Sequence, residues 1–391
     1  MHWVKHILNM EIDPLSTKIG IIGGGQLAKM MTQAAKKMDF YVQILDPTPN
    51  CPAGQIADEQ IVADFFCPQK LKEFVLRNDV TTFDIERADE SLKELTKEGQ
   101  LIYPLPEILE TIQDKVKQKE LLTKNNIPTP RYKKVENSEF SHALKEFNFP
   151  VVQKASRGGY DGRGVFVIRN KEDIENRIMT GSFLEEFIDI EKELAINVAR
   201  NRIGEIKCHP VVEMIFDQRA NICDMAIAPA RIEEKIKKEV EKIGIEIVKA
   251  LDEGAVGIFG IEMFLTKKGE VLVNEIAPRP HNSGHYTIEA CITSQFEQHI
   301  RAILGLPLGS TELLSPAVMV NILGEPGYQG EAVFEGIKEI LSIPGVNLHI
   351  YGKKMTKPFR KMGHITVIDK KIERAIEKAE KIKKIIKVIS K

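Results

Sequence analysis

FGIEMFLTKKGEVLVNEI, residues 259–276, reads as two strands, Phe259 to Leu265 and Val271 to Ile276, joined by a turn centred on Lys268-Gly269. Pairing the strands about that turn sets Glu262 opposite Glu275. Like charges directly opposite in an antiparallel pair are destabilising. At about 5 Å and an effective dielectric near 20 they repel by roughly 3 kcal/mol. Phe264 and Val273, expected on the same apolar face, raise that cost. A bound divalent cation reverses the sign, and two carboxylates that leave room for phosphate oxygens suit Mg2+. The alternatives are a one-residue slip in register, or one carboxylate turned to water.

A loop of matching chemistry lies upstream. Lys154-Ala155-Ser156-Arg157-Gly158-Gly159-Tyr160-Asp161-Gly162-Arg163-Gly164-Val165 carries four glycines in seven residues between two short strands, Val151 to Lys154 and Val165 to Ile168. Close N–H approach plus the cations of Lys154, Arg157 and Arg163 is what a triphosphate needs. The P-loop pattern G-x-x-x-x-G-K-[ST] occurs nowhere in the chain. Phe183 to Ile188, with Glu185 and Glu186 inside it, offers backbone groups and a carboxylate to an adenine edge, and Glu193 a carboxylate to ribose hydroxyls. Taken alone, that segment reads as an amphipathic strand.

Towards the N-terminus, Ile19 to Ile22, the glycines Gly23 to Gly25, a helical stretch from Gln26 to Lys37 and an apolar run from Tyr41 to Leu45 make a βαβ unit. Gly23 to Ala28 satisfies G-x-G-x-x-A, and Asp46 ends the next strand near the spacing of a ribose-binding acid. A dinucleotide, any other phosphorylated ligand, or a tight turn without ligand all fit this loop. Strands at Ile61 to Ala63 and Val80 to Ile85, around a helix from Pro68 to Arg77, complete a parallel-sheet domain. One long polar helix is expected from Ile108 to Asn125, ended by Pro128 and Pro130. Beyond it the hairpin signals are antiparallel. Further strands are expected at Ala317 to Ile322, His349 to Tyr351 and His364 to Ile368. A final amphipathic helix from Lys370 to Ser390 is expected to cover the last sheet with its lysines in water.

The 391 residues suit two or three domains. With 55 Lys plus Arg against 56 Asp plus Glu, the net charge is −1, which argues against nucleic acid or an acidic membrane as main partner. Five scattered cysteines without a CxxC pair read as reduced thiols, and neither a spanning helix nor a signal peptide is evident. A cytoplasmic location is the expectation.

These residues resemble the ATP-grasp superfamily and, within it, the 5-(carboxyamino)imidazole ribonucleotide synthases of purine biosynthesis. The resemblance runs from about Lys18 to Ile368 and is carried by IGIIGGGQLAKM, LDPTPNCPAGQIAD, QDKVKQKELL, KASRGGYDGRGVFV, NEIAPRPHNSGHYTIEA and YGKKMTKPFRKMGHITV. It implies a mixed α/β protein: an extension at 1–17, a Rossmann-like parallel-sheet domain at 18–112, an ATP-grasp domain at 113–310 and a small β-rich domain at 311–391. It implies ATP held by Lys115, Lys154, Gly159 to Val165 (Gly162 and Gly164 included), the stretch Glu185, Glu186, Phe187 and Ile188, Glu193, Asn274 and Glu275. Mg2+ would sit on Glu262 and Glu275. The substrate nucleotide would lie between Gly24, Gly25 and Gln26 on one side and Lys353, Arg360 and Lys361 on the other. Tyr160, Asp161, Arg163, Arg279, His281, Asn282 and Ser283 would surround the reacting amine and bicarbonate, with Asp161 orienting the amine. ATP, bicarbonate and 5-aminoimidazole ribonucleotide are the implied partners, in a homodimer.

The chain departs from the family pattern at Ala28-Lys29, at Phe359, where the family shows glycine, and between Val212 and Asp217, where a common histidine is missing. Two rival functions stay open. One is another purine-pathway ATP-grasp ligase, such as formate-dependent glycinamide ribonucleotide transformylase. The other is a nicotinamide-dependent dehydrogenase, suggested by the first loop and Asp46 alone. A binding module built on the basic C-terminal helix is a third class.

Overall fold

The computed structural model describes residues 12–87, 89–136, 139–159, 164–179, 181–217 and 222–391. Its first unit contains β1 (Lys18–Ile22), α1 (Gln26–Lys36), β2 (Tyr41–Leu45), β3 (Glu59–Ile61), α2 (Pro68–Leu76), β4 (Val80–Phe83), α3 (Ser91–Lys97) and α4 (Pro106–Gln113). The four strands are parallel in the order β3-β2-β1-β4. The chain leaves β1 in one direction and returns to its other side as β4. The crevice at such a reversal, beyond the carboxyl ends of the strands, is where open α/β sheets place ligands. Gly23 follows β1 there, and Asp84 follows β4.

The helix expected from Ile108 to Asn125 is two helices. Asp114 is extended (φ −106°, ψ 105°), and its side chain accepts the N–H groups of Val116 and Lys117 to start α5 (Lys115–Lys124). An aspartate at that position caps better than it propagates. The break sets Lys115 at a helix start, its own N–H donated to the Ser156 carbonyl of the glycine-rich loop at 2.8 Å.

That loop belongs to a small antiparallel sheet. β5 (Tyr132–Val135), α6 (Phe140–Leu144), β6 (Val151–Ala155), β7 (Val165–Ile168) and β8 (Ser182–Glu186) follow, with strand order β5-β8-β6-β7. Next come β9 (Ile190–Arg200), β10 (Ile206–Cys208), β11 (Val212–Asp217), β12 (Ile222–Ala228), α7 (Glu234–Ala250), β13 (Gly257–Thr266), β14 (Val271–Ala277), α8 (Thr287–Ala290) and α9 (Gln295–Leu304). The last part holds β15 (Ala317–Leu323), β16 (Gly330–Glu335), α10 (Ile337–Leu341), β17 (Val346–Ile350), β18 (Met355–Thr356), β19 (Lys361–Ile368), α11 (Ile372–Ile385) and β20 (Lys387–Ser390).

One antiparallel sheet of nine strands runs β14-β13-β9-β11-β12-β15-β19-β17, with β10 on β9. It crosses from the central region into the C-terminal one without interruption. Beneath one end, α7 buries Ile236, Val240, Ile243 and Ile247 against Ile196, Phe259 and Ile261. Beneath the other, α11 buries Ala375, Ala379 and Ile382 against Val318, Val320, Ile365 and Val367. The amphipathic helix therefore covers a sheet, but it stops short of the expected Ser390. Ile386 is already extended, and Lys387–Ser390 pairs with β16, forming with β18 a separate three-stranded sheet. The β-branched Val388 and Ile389 favour the strand.

A cluster of imidazoles joins the central region to the C-terminal hairpin. His349 and His364, cross-strand partners on β17 and β19, stack at 4.3 Å with planes 6° apart, and His285 lies 4.8 Å from His364. Burial pushes His285 and His364 well below the ordinary histidine range, and His209 down to about 4. The folded protein keeps these rings neutral while the unfolded chain protonates them near pH 6.5. Their contribution to stability is complete above that pH and is lost as pH falls through it. Chemical denaturation at pH 8 and pH 5.5 should show a smaller loss for His364→Phe than for wild type. Equal losses would remove His364 from the account.

Phe359 is the second point of local stress. It has φ 61° and sits third in Lys357-Pro358-Phe359-Arg360, whose ends are joined by an Arg360 N–H to Lys357 carbonyl bond of 3.0 Å. Proline second and positive φ third is the pattern of a type II turn, which favours glycine at that place. The left-handed conformation costs a residue with a side chain about 1–2 kcal/mol. Phe359→Gly is therefore expected to raise stability by about 0.5–1 kcal/mol after the greater freedom of unfolded glycine is allowed for, read as a rise in melting temperature.

Candidate active site

Glu262 and Glu275 are Cα partners across β13 and β14. The route to that register differs from the expected one. From Leu265–Val271 to Met263–Val273 the pairing is centred on Lys268, with Gly269 left-handed (φ 81°) closing a three-residue loop. A bulge at Asn274 then adds one residue and brings Glu275 opposite Glu262. The bulge also corrects the face of Val273, which packs into the core under α7 with Met263 and Ile276. Asn274 and Glu275, consecutive in sequence, both meet groups of the cleft: Asn274 Nδ2 lies 3.5 Å from Glu262 Oε2, and Glu275 is paired with Lys115. Bulges re-aim side chains in this way beside active sites.

The carboxylates sit in opposite electrostatic states. Burial, then Glu275 and Glu193, push Glu262 well above the usual carboxylate range. Burial acts on Glu275 too, but the Lys115 ammonium overrides it and holds that group low. Glu193, on the same face of β9, is pushed up to about 7 by burial, against Lys154 and with Glu275. Glu275 keeps 38% side-chain exposure, which leaves its open side to a ligand. Two carboxylates that repel one another, with a lysine already seated on one of them, fit a divalent cation. Among the described residues no group of three or more His, Cys, Asp or Glu could hold a metal by itself. The remaining ligands would have to come from phosphate or water.

Lys154, at the end of β6, donates to Asn274 Oδ1 at 2.9 Å and pairs with Glu185. The Glu185 carboxylate is 2% exposed and held between Lys154 and Lys119. Phe187 and Ile188, by contrast, lie between β8 and β9 with Phe187 exposed, and Glu186 is exposed with its N–H on the Arg131 carbonyl. Gly159, Gly164 (φ 76°) and Val165 lie at the edges of the glycine loop. Tyr160, Asp161, Gly162 and Arg163 lie outside the described residues.

On the far side, Arg279 meets Glu86 at 2.6 Å, and His281 Nε2 stands 3.4 Å from Glu262 Oε1. His281 is fixed from behind. Gln295 accepts its N–H at 2.9 Å and donates to its carbonyl at 2.8 Å, and Ser283 Oγ meets its Nδ1 at 2.9 Å. Asn282 and Ser283 are themselves held within the fold. Ser283 is fully buried, and the amide of Asn282 is spent in two reciprocal bonds with Asn321 of β15, at 2.9 and 2.6 Å.

The first glycine loop bonds to carboxylates of the chain itself. Gly24 N–H is donated to Asp46 at 2.8 Å, and Gly25 and Ala28 N–H to Asp84 at 2.7 and 3.2 Å. Three amides of the loop and helix start are thus held by carboxylates. Asp46, also bonded to Thr48 N–H, is 8% exposed and unavailable to a ribose, which leaves the dinucleotide reading without its acid. Burial raises Asp84, against the charges of Arg279 and Lys353, so both cations lie within electrostatic reach of this loop. Lys353 crosses the Tyr351 ring and donates to the Lys361 carbonyl, and Lys361 in turn acts on Glu262; Lys354 is exposed. Arg360 donates to the Met355 carbonyl at the rim, and Gln26 opens α1 half-buried.

Sequence reasoning missed Asp84, Glu86, Lys119 and Gln295. Asp84 and Glu86 could have been found as acids just past the strand at the sheet reversal, and Lys119 as one helical turn beyond Lys115. Gln295 carried no signal.

A glycine-rich hairpin over an antiparallel sheet, two lysines and a facing pair of glutamates define an ATP-dependent ligase of the ATP-grasp class. Residues 16–113 match the ribonucleotide synthetase preATP-grasp domain, 120–296 the ATP-grasp domain and 317–378 the phosphoribosylaminoimidazole carboxylase C-terminal domain. The chain belongs to the N5-carboxyaminoimidazole ribonucleotide synthase family. It is 40% identical over 353 residues to the Bacillus subtilis synthase of that name, covering 89% of this chain and 90% of the relative. It is 39% identical over 360 residues to the chloroplastic phosphoribosylaminoimidazole carboxylase of Vigna aconitifolia, of whose length the chain spans 64%. The crystal structure of the Thermotoga maritima synthetase superposes with a TM-score of 0.89 at 62% identity, over 96% of this chain and all of that one. The Aspergillus clavatus synthase, in complex with ADP and 5-aminoimidazole ribonucleotide, gives 0.85 at 32% identity, over 94% and 98%. No helix among the described residues is long and apolar enough to cross a membrane.

Proposed function

We propose that this chain converts ATP, bicarbonate and 5-aminoimidazole ribonucleotide into 5-(carboxyamino)imidazole ribonucleotide, ADP and phosphate. The observation that carries the proposal is one connected set of charged groups: Glu262 faces Glu275 and meets His281, Lys361 acts on Glu262, and Arg279 and Lys353 both act on Asp84 beside the first glycine loop. Bicarbonate is a poor electrophile. Its oxygen attacks the γ-phosphoryl group, giving carboxyphosphate and ADP. Loss of phosphate then leaves CO2 beside the exocyclic amine, which attacks it and gives up a proton.

Such phosphoryl transfer rests on positioning and charge neutralisation. Lys115, Lys154 and the loop from Gly159 to Val165 hold the triphosphate. Glu262 and Glu275 would hold Mg2+, which supplies neutralising charge at the transferring phosphoryl. Arg279 and His281 orient bicarbonate, and Tyr160, Asp161 and Arg163 stand at the amine, with Asp161 receiving or directing its proton. Lys353, Arg360 and Lys361 take the substrate phosphate. A homodimer in the cytoplasm completes the reading.

The test is phosphate release with ATP, bicarbonate and 5-aminoimidazole ribonucleotide, omitting each in turn and replacing bicarbonate with formate and the nucleotide with glycinamide ribonucleotide. Release should require all three and fall to background with the formate pair. Turnover with formate would favour the transformylase reading.

A further inference from the structure

We infer that Lys119 is a positioning residue for the nucleotide: by sharing the Glu185 carboxylate, it leaves the Lys154 ammonium its charge for the phosphates. The inference rests on the reading that Lys154 meets the triphosphate. Lys119 is 1% exposed, an unusual place for a lysine, and a buried charge is costly unless it is paired and hydrogen-bonded. Its Nζ lies 2.5 Å from Glu185 Oε1, donates to Thr129 Oγ1 at 2.6 Å and approaches the Val273 carbonyl at 3.3 Å. The other Glu185 oxygen meets Lys154.

Two ammonium groups thus share one carboxylate, and the triad carries a net +1. Lys119 and Glu185 are each 2% exposed at the side chain, while Lys154 keeps 11% and reaches Asn274 beside the glutamate pair. The surplus charge is therefore presented at the cleft by Lys154. A single lysine would have sufficed to neutralise Glu185, and a neutral pair would offer the phosphates nothing. Lys119 is also one helical turn from Lys115, so α5 presents one ammonium to Glu275 and another to Glu185 from the same face. The α5 start at Asp114 sets both.

Removing Lys119 leaves Glu185 to Lys154 alone. Lys119→Met keeps the unbranched side chain as far as Cε and removes the ammonium, and Thr129 retains its bond to the Val273 carbonyl at 2.8 Å. Loss of one charge-assisted interaction corresponds to a weakening of about 10- to 100-fold. The experiment measures ADP affinity by calorimetry, and KM for ATP and for 5-aminoimidazole ribonucleotide, in Lys119→Met, Lys119→Arg, Glu185→Gln, the Lys119→Met/Glu185→Gln double variant and Lys154→Met.

The expected results are weaker ADP binding and a raised ATP KM in Lys119→Met, an unchanged KM for the ribonucleotide, and partial recovery in Lys119→Arg. The double variant, whose triad again carries +1, should return to within about threefold of wild type. A merely structural lysine would lower the melting temperature of Lys119→Met but leave the ADP affinity of the folded protein unchanged. A double variant that folds yet binds ADP as poorly as Lys119→Met overturns the inference. Unchanged ADP affinity in Lys154→Met instead overturns the underlying reading of Lys154. Should Lys119→Met fail to fold, Glu185→Gln, with a triad at +2, must bind ADP more tightly than the double variant; equal affinity overturns the inference.

Discussion

Glu275→Gln is expected to abolish ATP-dependent phosphate release, by about a thousandfold or more, while the protein stays folded. The two halves of that result have separate causes. The amide is a poor ligand for a hard cation and cannot neutralise charge at the transferring phosphoryl group, where a lost electrostatic contact costs about 3–4 kcal/mol or more. Stability is spared because two effects oppose each other. Lys115 loses its partner, a change that costs about 3–5 kcal/mol in a buried pair and less here, where Glu275 is 38% exposed. Glu262 meanwhile loses the like charge that faces it across the sheet and helps hold its carboxyl above the usual range, so its ionisation becomes easier. A melting curve near that of wild type together with dead kinetics is the expected pairing. Ordinary turnover in this variant would remove the metal assignment.

Gly260→Ala should be nearly as damaging to turnover, from a residue that touches no ligand. A Cβ at Gly260 would stand 2.3 Å from His281 Cβ and 2.7 Å from its Cγ. His281 cannot easily retreat, because Gln295 binds both its backbone groups and Ser283 its ring. Either β13 shifts, moving Glu262 two residues on, or the imidazole is displaced from Glu262. A misplacement near 1 Å costs about a hundredfold in rate, and overpacking a tight site about 1–3 kcal/mol in stability. ADP affinity should change little, since the lysines lie on the other side of the glutamates. The kinetic loss should fall on kcat and on the bicarbonate KM. Wild-type kinetics would mean that His281 has no part in the reaction.

The sequence revealed the order of the elements because glycine and proline punctuate it. Gly23 to Gly25, Lys268-Gly269 and the loop from Gly158 to Gly164 each mark a change of direction, and the period of the apolar residues between them is either two or near four. It also revealed that Glu262 faces Glu275, but for a reason that was only half right. A turn centre displaced by half a residue and a bulge at Asn274 offset each other, and neither leaves a mark in composition.

What stayed hidden are contacts between distant segments. Asp84 meets Gly25 across 59 residues, and Asn321 meets Asn282 across 39. Glycines at a strand end imply bare amides only until a carboxylate elsewhere in the chain is known to fill them. The two misread helices share another cause. Helical periodicity continues through Asp114 and Ile386, and only the capping chemistry of the first and the β-branched run after the second break it.

The most direct test of the central claim is a crystal structure of the protein with Mn2+ and a non-hydrolysable ATP analogue, using the anomalous signal of the metal. The account predicts a peak between Glu262 and Glu275, shared with phosphate oxygens, with Lys115 moved off Glu275. Side chains turned apart with no metal between them would contradict it.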